Sequence, residues 1–238
     1  MRKEKIIISL VLLIMSAMSL HAQYRFQVRE VDFDAIKKET LNPNSRYYYP
    51  KLVKSFTSND TTMNFEAYRE LYYGFLFQED YNPFRHSNFE GKDEVEQLYY
   101  SNKTLTREEC NKIVAYAERA LEDNIFNIDQ LNYYIYALRA KKKYARAAVR
   151  QYRLDKLIAA IMSSGRGTED EPWVVLFPEH EYNIINFLGY VATEHVELDD
   201  GRDCIKSVSE SDPKKTKDFY FDVSMMLQEA ARKFPDEF

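Results

Sequence analysis

The spacing of apolar residues changes once along this chain, near Gly165, and that change limits the fold to two unlike parts laid down in order. From Asp32 to Gly165 apolar residues recur three and four apart, as on helices with one buried face. After Thr168 they alternate or run in short blocks, as in strands. The pattern predicts an α+β protein. A helical region over residues 23–164 is followed over residues 165–238 by a small, mostly antiparallel sheet with flanking helices, packed on the helical region. The join is too poor in glycine and serine to act as a free linker.

Within the first part, Asp32 opens a short helix and Pro50 opens a second after Tyr47-Tyr48-Tyr49. Asn64 caps a third, which carries Phe65, Tyr68, Leu71, Tyr72 and Phe75 on one stripe. Thr106 and Glu109 form a capping box ahead of Cys110, Ile113, Val114, Ala117, Ala120 and Leu121. Two further helices follow, one through Ile128, Leu131, Ile135 and Leu138 and one beginning about Lys142. Their small alanines suit tetratricopeptide-like hairpins, in which helices approach closely. In the second part, strands are expected at residues 173–177, 190–197, 204–209 and 219–223. A helix is expected at residues 179–188, a hairpin turn at Asp199-Asp200-Gly201, and a terminal helix capped by Ser224.

The first residues carry Arg2, Lys3 and Lys5 ahead of an apolar run from Ile6 to Met15, then Leu20-His21-Ala22. That order is a signal peptide of residues 1–22, and the run is too short to span a bilayer. Cleavage after Ala22 leaves a periplasmic or secreted chain; a cut after Ala17 or Ser19 also fits. No cysteine follows these sites to take a lipid, so the mature chain is expected to have no membrane anchor. Its formal charge moves from -5 to -7, because three basic residues and one acidic residue leave with the signal. Such a balance argues against nucleic acid as a partner.

The stretch Tyr68-Arg69-Glu70-Leu71-Tyr72-Tyr73-Gly74-Phe75, continuing through Gln78 to Tyr81-Asn82-Pro83, joins the later Gly165-Arg166-Gly167-Thr168 loop before Trp173-Val174-Val175. With the closing Phe219-Tyr220-Phe221-Asp222, this combination resembles DUF4919, a family of exported Bacteroidota proteins of unknown function. The resemblance implies location and lineage, and it carries no site residue across.

Chemistry-bearing patterns are few. His86, His180 and His195 are scattered, and His180-Glu181 lacks the histidine four residues on that a zincin needs, so no metal is expected and no cofactor is implied. The Gly165–Thr168 loop lacks the lysine of a phosphate-binding loop and precedes a strand, so it is read as a turn. Cys110 and Cys204 can bridge, closing a long loop, or sit apart as small buried groups. Aromatics stand out: 19 tyrosines and 15 phenylalanines, with doublets at Tyr72-Tyr73, Tyr99-Tyr100 and Tyr133-Tyr134. Tyr72, Tyr73, Tyr81 and Asn82 are the candidate ligand contacts, although the helical stripe equally makes those rings core. Asp60-Thr61-Thr62 matches a short acceptor sequence for O-glycosylation and serves equally as a polar turn. Two functions stay open: a non-catalytic module binding a protein or glycan partner, and a glycan or cell-wall hydrolase using paired carboxylates.

Overall fold

The computed structural model describes residues 28–85, 87–100 and 103–235. The expected signal peptide and His86 lie outside those residues. In chain order the elements are α1 (Phe33–Leu41), α2 (Tyr49–Thr57), α3 (Phe65–Gly74), a 3-10 turn (Phe75–Phe77), α4 (Lys92–Tyr99), α5 (Arg107–Asp123), α6 (Ile128–Ala140) and α7 (Tyr144–Met162). Then come β1 (Trp173–Val174), α8 (Pro178–Phe187), β2 (Tyr190–Leu198), β3 (Arg202–Ser209), β4 (Thr216–Asp222) and α9 (Ser224–Lys233). The protein is α+β, with its strands all after Gly165 among the described residues.

Helix starts follow the local chemistry. Asp32, Asn64, Thr106 and Asn127 each accept a backbone N–H of the first turn, and Thr106 with Glu109 completes the capping box. Helices α5, α6 and α7 pack in sequence, with Ala117, Ala120, Ala137 and Ala147 buried between them. One helix was not expected: α4 starts after Gly91, whose φ of 88° few other residues tolerate, and buries Val95 against α5.

The sheet order is β1-β4-β3-β2, with β1 parallel to β4 and the other pairs antiparallel. Partner positions place Trp173, Phe221, Phe219 and Ile205 on one face, and these join the main core with residues of α1, α2, α3, α7 and α8. The helical and sheet-bearing parts thus share one apolar cluster.

Two expectations need correction, and the open choice for the cysteines is decided. The strand expected over residues 173–177 is shorter: Val175 N–H still reaches Asp222 O at 3.2 Å, but Leu176 N–H turns to the Tyr72 hydroxyl at 3.0 Å and leaves the ladder. Ser224 does not cap α9; it is the first helical residue, and its N–H and hydroxyl donate to Asp222 Oδ1. Cys110 and Cys204 form no bridge: both are buried free thiols, Cys110 beside Ile113 and Ala137 in the helical cluster and Cys204 on β3.

The Gly165–Thr168 loop is a turn with its own occupant. The N–H groups of Arg166, Gly167 and Thr168 converge on Glu171 O at 2.7, 2.9 and 3.4 Å, filling with a carbonyl the concavity that would otherwise attract an anion. Gly167 has φ +67°, and a Cβ there would lie 2.3 Å from the Trp173 ring.

Candidate functional site

The tyrosine motif of α3 builds the centre of the core. Tyr72, Tyr73 and Tyr81 are fully buried. The Tyr72 hydroxyl accepts Leu176 N–H at 3.0 Å and donates to His180 Nδ1 at 2.8 Å, and His180 Nε2–H donates to Phe126 O at 3.0 Å. That chain fixes a neutral imidazole, and burial lowers the His180 pKa to about 4. Tyr73 donates to Val174 O and Tyr81 to Leu176 O. Asn82 closes a turn by accepting Phe84 N–H. The three tyrosines therefore hold the β1 exit against α3 and present no ring to a ligand, and Asn82 serves only its local turn.

The first turn of α8 sends three consecutive titratable side chains in three directions. His180 enters the core as described. Glu179 and Asn183, one turn apart, face the start of α6, where Asn183 Nδ2 donates to Asp129 Oδ1 at 2.8 Å. Burial lifts the Glu179 carboxyl to about 7, with the nearby Asp129 charge adding to it. The Asp129 carboxyl is itself raised by loss of solvent.

One turn along α6 from Asp129 stands Tyr133, which stacks on Tyr99 of α4 with ring centroids 3.3 Å apart and planes 5° from parallel. Gln130 Oε1 accepts the Tyr99 hydroxyl at 2.9 Å and fixes that ring. Tyr100, the next residue, is 80% exposed, and Tyr136, one turn beyond Tyr133, is 52% exposed. One ring from each of two doublets, Tyr99 and Tyr133, thus meets at the half-buried edge of α4 and α6 near Asp129, while Tyr134 and the Tyr72-Tyr73 doublet are core. The doublets were visible in the sequence, but which would meet was not, since α4 was itself unforeseen.

The third side chain, Glu181, points to the sheet. It is fully buried, and neither carboxylate oxygen has a hydrogen-bond partner. Its neighbours are Asp203 of β3 and His195 of β2, and one ligand atom from each of the three lies within 4.8 Å of the other two. His195 Nε2 is 3.2 Å from Asp203 Oδ2, and its Nδ1 is 3.3 Å from the Tyr182 hydroxyl. Burial lifts the Glu181 carboxyl to about 9, with the Asp203 charge and a close carboxyl-to-carboxyl approach to Asp203 as further causes. A register shift between Ala192 and Glu194 creates this cluster. It leaves Thr193 as the extra residue, so His195 rather than Glu194 shares the inner face with Ile205, while Glu194 pairs with Lys206. The scattered histidines gave no sign of it, because neither strand register nor bulge can be read from spacing.

Among the described residues, no helix is long and apolar enough to cross a membrane. A family model described as a domain of unknown function, DUF4919, matches residues 34–232. No curated protein and no solved structure matches the chain.

Proposed function

The chain belongs to the DUF4919 family, and on that footing we propose that it is an exported, non-catalytic binding module whose partner, a glycan, docks on the tyrosine shelf between α4 and α6. Export rests on the charged start and short apolar run at residues 1–22. The single observation that carries the binding reading is the shelf itself. Tyr99 and Tyr133 are locked face to face, the adjacent Tyr100 ring is 80% exposed, and the Asp129 carboxylate stands one turn along α6 from Tyr133. A preset aromatic surface with a carboxylate alongside suits sugar rings, which offer an apolar face and a rim of hydroxyls. Tyr100 carries no core load, so Tyr100→Ala is expected to keep its melting midpoint within a few degrees. It should also weaken binding of soluble cell-wall glycan fragments roughly tenfold, as loss of one exposed aromatic anchor implies. Titration of such fragments into both proteins, followed by NMR, tests this; equal affinity, or no binding to the parent, overturns it.

One observation favours the hydrolase alternative: Glu179, held at about 7, is suited to act as a general acid beside Asp129. Glu179→Gln separates the two readings, since it would abolish turnover by a hydrolase and leave a binding module able to hold its ligand.

A further inference from the structure

We propose that Glu181, Asp203 and His195 form a site for one divalent transition-metal ion of the zinc class, which would fasten α8 to strands β2 and β3. The inference goes beyond the binding reading and does not depend on it, since the residues lie on the other side of α8 from the tyrosine shelf. Its starting point is Glu181, fully buried with both oxygens unpartnered and its nearest charged neighbour another carboxylate. Two carboxylates facing each other away from water need a proton or a cation between them. The imidazole makes this a cation site of a particular kind: one nitrogen and two carboxylate donors suit zinc and its neighbours in the first transition row, whereas calcium and magnesium prefer oxygen alone.

Distances agree. Ligand atoms about 2.0 to 2.2 Å from a tetrahedral zinc ion stand roughly 3.3 to 3.6 Å from one another. The His195 Nε2 to Asp203 Oδ2 separation is 3.2 Å already, and the remaining pairs, within 4.8 Å, close by side-chain rotation. The second nitrogen of the ring is also provided for. With Nε2 on the metal, Nδ1 carries the proton and faces the Tyr182 hydroxyl at 3.3 Å, the outer contact that orients a ligating histidine. Three protein ligands leave one coordination position open, and His195, one-third exposed at its side chain, marks the side from which water or an external ligand would fill it.

The test is zinc titration of the full chain against a chromophoric chelator, with Glu181→Gln and His195→Ala alongside. Glutamine keeps the shape of the side chain and carries no charge, so Glu181→Gln is expected to fold; its midpoint without zinc checks that. The parent should bind one zinc per chain, and a hundredfold excess over Kd should raise its melting midpoint by about 5 to 10 °C. Each variant should lose at least tenfold in affinity and most of that rise. Cobalt in place of zinc should give visible bands of an oxygen and nitrogen site with no thiolate charge-transfer band. Absence of stoichiometric binding, equal binding by parent and variants, or a thiolate band implicating Cys110 or Cys204 would each overturn the proposal.

Discussion

Replacing Tyr72 by Phe removes one oxygen from the centre of the core and leaves every ring contact in place. Tyr72 packs against Tyr73, Phe126 and His180 at centroid distances of 5.0, 5.5 and 5.6 Å, and phenylalanine keeps all three. Lost are a donor to His180 Nδ1 and an acceptor for Leu176 N–H, at a residue with no exposed surface. A buried polar group left without its partner costs about 1–3 kcal/mol, so two such groups with some relaxation cost about 3 kcal/mol. For a chain of this size each kcal/mol moves the midpoint by roughly 2–4 °C, giving a fall of about 6–12 °C. Thermal unfolding of purified Tyr72→Phe beside the parent measures it. Hydrogen exchange at the Leu176 amide adds a local reading, since that N–H should exchange faster once its acceptor is gone. A midpoint within about 1 °C of the parent would refute the polar chain through Tyr72 as a stabilising feature.

Further outcomes follow from the same packing. His180, held at about 4 in the fold against about 6.5 unfolded, lets the unfolded chain take a proton that the native state refuses. Its contribution therefore disappears as pH falls between those values, by about 2.5 kcal/mol near pH 4.5; urea melts at neutral and acid pH should show a smaller acid loss in His180→Gln than in the parent. Gly167→Ala pushes a methyl into the Trp173 ring at positive φ, whereas Gly91→Ala meets open space at φ +88°. The first should cost about 2 kcal/mol or more and the second about 1 kcal/mol, and equal denaturation midpoints would contradict the close-approach argument.

How far the sequence could be read depended on whether the relevant physics was local. The capping box at Thr106, the proline start of α2 and the Asp199-Asp200-Gly201 turn are decided by near neighbours, and each lies where its chemistry puts it. Helix α3 was harder. Its stripe placed Tyr68, Tyr72 and Phe75 inward, but Arg69, Glu70 and Tyr73 are buried as well. They are buried because α3 is central, packed on α1, α2 and α7. Polarity concealed that position. Arg69 is buried because its guanidinium bonds the Ser163 hydroxyl and the carbonyls of Arg29 and Glu30, partners decided by tertiary contact. Both clusters around α8 were unreadable for a related reason. One depends on α4, whose short apolar pattern sits in a polar stretch, and the other on a single extra residue in β2 that re-aims His195. Periodicity reports which face is inward; it does not report which distant side chains share that face.

Binding without turnover at the tyrosine shelf is the central claim, and one experiment bears on it most directly. A defined, end-labelled cell-wall oligosaccharide is equilibrated across a dialysis membrane with the purified protein, and its amount and chain length are measured on both sides. The account predicts accumulation of intact oligosaccharide on the protein side, reduced about tenfold with Tyr100→Ala. Shortened chains that appear with the parent and vanish with Glu179→Gln would contradict it, and would make the carboxylate pair Glu179 and Asp129 an active site.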